Sequence, residues 1–148
     1  MIARTDAEVM RSYESPRAGT AIVRATPERA LAALDAAYAE LGIEVKLREP
    51  SRGQIGNENF SRMYRLAHTP LSDYVGCGVT SLGAAADSYR ITMSLVSQVT
   101  AVPEGTRIDT QLFARAEDMG SSKGAIGCQS LGTLEAKVNE LAATHLGG

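Results

Sequence analysis

Two cysteines, Cys77 and Cys128, constrain this chain more than any other feature of its sequence. Each stands beside glycine, in Gly76-Cys77-Gly78 and in Gly127-Cys128-Gln129, and together they bracket the best-formed β-hairpin pattern in the chain. Buried structural thiols usually sit inside an apolar strand or helix, whereas these lie among Gly and polar residues. The pair therefore reads as a disulfide, which places the protein outside a reducing cytosol. Such a bond closes a loop of roughly 50 residues and stabilises the fold by about 4 kcal/mol through chain entropy. Two readings stand beside it. The cysteines could be free thiols packed as small hydrophobes. They could also ligate a metal with His68 and His145, although no CxxC or HxxxH ligand pair is present.

A length of 148 residues is that of one domain with its own core. A net charge of -2 argues against a nucleic-acid or anionic-membrane partner. No apolar run approaches the roughly eighteen residues that a membrane span needs. The opening Met1-Ile-Ala-Arg-Thr-Asp6 lacks the apolar stretch of a signal peptide. An exported form is thus expected to have lost a leader, with a possible lipid anchor upstream. Residues 1–18 carry alternating charge without periodicity and read as a tether or leader to a single α+β domain spanning 19–148.

From Gly19 the pattern sharpens. A short strand over Thr20–Ala25 precedes Thr26-Pro27-Glu28, which combines an N-cap, a first-turn proline and an acid at the positive end of the dipole. Leu31, Leu34, Tyr38 and Leu41 then recur at helical spacing until Gly42 supplies a left-handed stop. Ile43, Val45 and Leu47 alternate with charged residues as a strand, and Pro50–Gly53 turns the chain into a polar strand over Gln54–Leu66. That strand, with Glu58, Arg62 and Arg65, suits either an edge open to β-augmentation or a charge-protected one.

A glycine-rich connection follows, with a short helix expected at Leu71–Val75. Tyr89 to Thr100 and Thr106 to Ala116 form a hairpin around Pro103-Glu104-Gly105. Gly120–Gly127 reads as a loop. A last helix is expected over Ser130–His145, burying Leu131, Leu134, Val138 and Leu141. The order β-α-β-β-(loop)-β-β-α specifies an α+β two-layer sandwich, with both helices on one face of an antiparallel sheet.

Chemistry is sparse. His68, Ser72 and Asp73 could be written as a hydrolytic triad, but no nucleophile elbow surrounds Ser72. Gly120-Ser-Ser-Lys-Gly124 departs from a phosphate-binding loop because Lys123 is followed by glycine and the helix starts later. The carboxylates are scattered, with no two on the buried face of one element. No catalytic residue, metal site or cofactor is therefore expected. The one surface of interest is on the second hairpin strand, where Phe113 falls among Arg107, Gln111 and Arg115. An exposed aromatic among arginines marks a partner surface; alternatively Phe113 packs beneath the N-terminal segment or on a neighbouring strand.

Ala25-Thr26-Pro27-Glu28 leading into Leu31-Ala-Ala-Leu34 and Leu41-Gly42-Ile43, with Ser88-Tyr89-Arg90-Ile91 and Gly105-Thr106-Arg107-Ile108, resembles the small envelope domains of BamC-like bacterial lipoproteins. In outline it is also similar to helix-grip folds. The resemblance covers about residues 19–144 and transfers no functional residue. A disulfide-stapled domain without a catalytic pattern is expected to be exported, periplasmic or associated with the outer membrane, and to bind or scaffold another envelope protein without catalysis. The alternative is a carrier holding a small apolar ligand between the sheet and the C-terminal helix.

Overall fold

The computed structural model describes residues 19–118 and 124–147. The expected tether at 1–18 and the Gly120–Lys123 part of the glycine-rich loop lie outside the described residues. Helix α1 (Pro27–Glu40) begins where its signals place it. The Thr26 hydroxyl accepts the Arg29 N–H at 3.2 Å, and Gly42 ends the helix with φ 74°. Its buried stripe is Ala30, Ala33, Leu34, Ala37 and Tyr38. Helix α2 spans Thr133–His145 and buries Leu134, Val138 and Ala142.

Eleven strands are described: β1 (Thr20–Val23), β2 (Leu47–Glu49), β3 (Gln54–Met63), β4 (Arg65–Leu66), β5 (Thr69–Pro70), β6 (Val75–Gly76), β7 (Val79–Thr80), β8 (Gly83–Ala84), β9 (Arg90–Val102), β10 (Gly105–Glu117) and β11 (Ala125–Ser130). Seven of them make one antiparallel sheet in the order β2-β3-β9-β10-β11-β6, with β1 also pairing β10. The β9–β10 hairpin is its spine, thirteen residues on each side from Arg90↔Glu117 to Val102↔Gly105. Ile91, Met93, Leu95, Ile108 and Leu112 point from it toward α1 and α2 and form the core with Leu34, Tyr38, Leu134 and Val138. The α+β two-layer architecture is therefore as expected, with both helices on one face. Truncating a fully buried member such as Leu34 or Ile108 to alanine should cost about 2–5 kcal/mol.

Several elements differ from expectation. Ile43–Lys46 alternates in burial but forms no strand. A bulge between Asn57 and Phe60 distorts β3 there, and the Asn57 side-chain amide takes the Glu44 carbonyl at 2.9 Å in place of a ladder bond. Leu71–Asp73 is a single 3₁₀ turn rather than a helix. Ala125–Ser130, expected mostly as loop, is a strand that pairs both β10 and β6. Because Ser130 belongs to that strand, α2 starts three residues late, and Leu131 is exposed rather than part of the buried face.

The disulfide is present. Cys77 joins Cys128, with Cα atoms 4.4 Å apart. The β6–β11 register runs Val75↔Ser130 and Gly76↔Gln129, so one step further sets Cys77 opposite Cys128. That separation is typical of a non-hydrogen-bonded antiparallel pair. Both sulfurs are consumed, which removes the free-thiol and metal readings.

A polar chain crosses the core. The Tyr38 hydroxyl meets the Ser97 hydroxyl at 3.0 Å, Ser97 meets Thr110 at 2.7 Å, and the Thr110 hydroxyl donates to Asn139 Oδ1 at 2.8 Å. It ties both helices to β9 and β10, and burial raises the Tyr38 phenol well above its ordinary pKa. Among the described residues no helix is long and apolar enough to cross a membrane.

Candidate functional site

The edge of β10 away from β9 is shared by two strands that do not meet. β1 covers Thr106–Asp109, and β11 covers Ala114–Glu117. The Thr110 N–H still reaches the Gly19 carbonyl at 2.7 Å. Backbone groups two residues apart point the same way along a strand. The Leu112 N–H and C=O therefore face this side, where no described strand pairs them.

A cavity of about 540 Å³ lies at this gap, lined by Gly19, Thr110, Leu112, Phe113, Leu131 and Glu135. Gly19 is glycine for a steric reason: a Cβ there would stand 2.7 Å from the Thr110 carbonyl oxygen. Glu135 is 8% exposed. Its Oε2 accepts the Ser130 hydroxyl at 2.6 Å, whereas its Oε1 is buried without a hydrogen-bond partner.

The expected surface residues come together on the outer face of β10, opposite the helices. Phe113 is 66% exposed, so it is not packed beneath a described segment. Gln111 and Arg115 are exposed on either side of it, and Arg107 is exposed on the same face six residues along the strand. The arginines are compensated. Arg107 Nε meets Asp109 at 2.9 Å, and Arg115 Nε lies 3.8 Å from Glu117. Glu117 also accepts the Thr92 hydroxyl at 3.0 Å and lies 3.3 Å from Arg90. Its carboxyl is held below the ordinary value, first by the Thr92 hydrogen bond and then by Arg90, against some desolvation. The patch is thus close to neutral, with an aromatic centre and a polar frame. Ile22 and Leu131, both about half exposed, carry the apolar surface to either side of the gap.

The residues weighed as a triad do not assemble into one. Ser72 donates both its N–H and its hydroxyl to Asp87, at 2.9 and 2.6 Å, which caps a turn. His68 is exposed in the tight turn between β4 and β5. β3, the strand weighed as either an open or a charge-protected edge, is covered by β2 only over Gln54–Gly56; from Asn57 to Met63 no described strand pairs its outer side. Sequence reasoning missed Glu135, whose burial depends on Ser130 reaching it from the unforeseen strand β11. Among the described residues no group of three or more His, Cys, Asp or Glu side chains is placed to hold a metal ion.

No protein-family model matches this chain, and no curated protein or solved structure shows a significant similarity to it.

Proposed function

We propose that this chain is an exported, non-catalytic module of the bacterial envelope that binds another protein, taking an extended segment of it along the open stretch of β10. The observation that carries this reading is the Leu112 backbone, which no described strand pairs at the gap, beside a Phe113 that is 66% exposed. An added strand would gain main-chain hydrogen bonds at Leu112, and its side chains would enter the cavity that Phe113, Leu131 and Glu135 line. The unpartnered Glu135 Oε1 offers such a segment an acceptor for an N–H or ammonium donor.

The disulfide supports an oxidising compartment, of which the periplasm or the outer-membrane surface is the one proposed here. The BamC-like resemblance agrees with that placement and rests on local sequence pattern alone. The carrier alternative gains no support from the face between α2 and the sheet, where Leu134, Val138 and Ala142 are fully buried against their neighbours.

The test is site-specific photocrosslinking in the native host, with Phe113 replaced by benzoylphenylalanine. The expected result is one discrete protein adduct that is absent when the probe replaces Ala32 on the exposed side of α1. No adduct at 113, or the same adducts from both positions, overturns the reading.

A further inference from the structure

A second concavity lies between the end of α1, the β3–β4 segment and α2, away from the β10 gap. Its volume is about 430 Å³, within the range of small-molecule sites. Three cationic residues line it: Arg62, Arg65 and Lys137. Arg62 donates to the carbonyls of Ser61 and Gly42 at 2.9 and 2.7 Å, and its guanidinium lies 5.3 Å from the Phe60 ring centroid. Arg65 donates to the His68 carbonyl at 3.2 Å. Lys137 Nζ lies 5.9 Å from the Tyr74 ring centroid.

None of the three pairs with a carboxylate among the described residues, unlike Arg48, Arg90, Arg107 and Arg115. The one acid in the lining, Glu40, is engaged by His145 at 3.3 Å. The remaining side chains of the wall are His68 and the aliphatic Leu41, Leu66, Ala67 and Leu141.

Carbonyls and ring faces orient these cations but do not neutralise them, so an excess of positive charge faces an apolar floor. Two planar guanidinium forks and an ammonium are the donor set that binds phosphate oxygens. The wall of the site is also held in an unfavourable conformation. The two central residues of the β4–β5 turn, Ala67 and His68, have φ of 53° and 67°. Residues held this way tend to cluster at ligand clamps.

We infer that this concavity binds a phosphate-bearing amphiphile, the phosphate held by Arg62, Arg65 and Lys137 and the aliphatic part resting on Leu66 and Leu141. The ligand could be the headgroup region of an anionic lipid or a soluble phosphate ester, and the chemistry of recognition is the same for both. This site is independent of the β10 reading.

The test is an amide NMR titration of the oxidised full chain at 150 mM salt with dihexanoyl phosphatidate, inorganic phosphate and dihexanoyl phosphatidylcholine. Saturable shifts at Arg65, Lys137 and Leu141 with phosphatidate are expected, and Arg65→Gln or Lys137→Gln should each weaken binding about tenfold. An unchanged spectrum elsewhere verifies the fold of each variant. Preference for phosphatidate over inorganic phosphate identifies a lipid as the source, and equal affinity for the two overturns the aliphatic contact with Leu66 and Leu141. An equal response to phosphatidylcholine, shifts scattered over the surface, no saturable response, or undiminished binding by both variants overturns the inference.

Discussion

Cys77 stands directly across from Cys128 in an antiparallel pair, one step beyond Gly76↔Gln129 in the same register. The covalent bond thereby fastens a two-residue strand, β6, to the short strand that delivers α2. Besides it, the connection between β5 and β9 is held to the sheet by the two β6 register positions, by the Leu131 N–H on the Tyr74 carbonyl at 2.9 Å, and by the buried Leu71, Tyr74 and Val75.

Reduction should therefore cost much of the chain-entropy contribution. Urea unfolding with and without reductant, and of Cys77→Ser/Cys128→Ser, is expected to show a loss of about 2–4 kcal/mol. Alkylation of unreduced protein from its native compartment should add no mass. Two reactive thiols in that material would remove the argument for an oxidising environment.

The β4–β5 turn is strained for its residue types. A two-residue hairpin turn with both φ values positive favours Asn-Gly, and this chain has Ala67-His68. Ala67→Asn with His68→Gly should raise stability by about 1 kcal/mol, read from the urea midpoint at unchanged slope. An unchanged or lower midpoint means that the turn carries no such strain.

The polar chain through the core makes a separate prediction. Thr110→Val keeps the shape but removes the hydroxyl that links Ser97 to Asn139. The expected loss is about 1–3 kcal/mol, the range for disrupting buried hydrogen bonds. A neutral effect would show that Ser97 and Asn139 repair their bonding without Thr110.

Glu117 links the exposed patch to pH. Its folded pKa lies below its ordinary value of 4.5, so its contribution to stability is present above that value and is lost as pH falls through the folded pKa. A carboxyl-carbon NMR titration should place its midpoint below that of an unstructured glutamate. Thr92→Val should move the midpoint upward, because the leading cause of the shift is the Thr92 hydroxyl. A midpoint that Thr92→Val leaves in place contradicts this origin.

The features legible in the sequence were those with local causes. Thr26-Pro27-Glu28 and Leu41-Gly42 mark both ends of α1 because capping is decided within a turn. The β9–β10 hairpin was legible from the alternation around Pro103-Glu104-Gly105, and Phe113 fell on its outer face by parity with Leu112. Strand β11 was not, since Gly127, Cys128 and Gln129 give no alternation and the strand is made by its neighbours on both sides. The burial of Glu135 and the late start of α2 follow from that one omission. The gap at Leu112 was likewise hidden, because it depends on where β1 and β11 stop along β10. The basic concavity joins Arg62 and Arg65 to Lys137 across more than seventy positions of chain, a closeness that only the packing of α2 creates.

The most direct measurement is amide hydrogen exchange resolved at Thr110, Leu112 and Ala114 in the isolated, oxidised protein. Thr110 is bonded to Gly19, and Ala114 is paired with Cys128. Both amides should be strongly protected, while Leu112 exchanges many times faster despite its buried side chain. Protection of Leu112 equal to that of its two neighbours would contradict an edge left open for a partner strand.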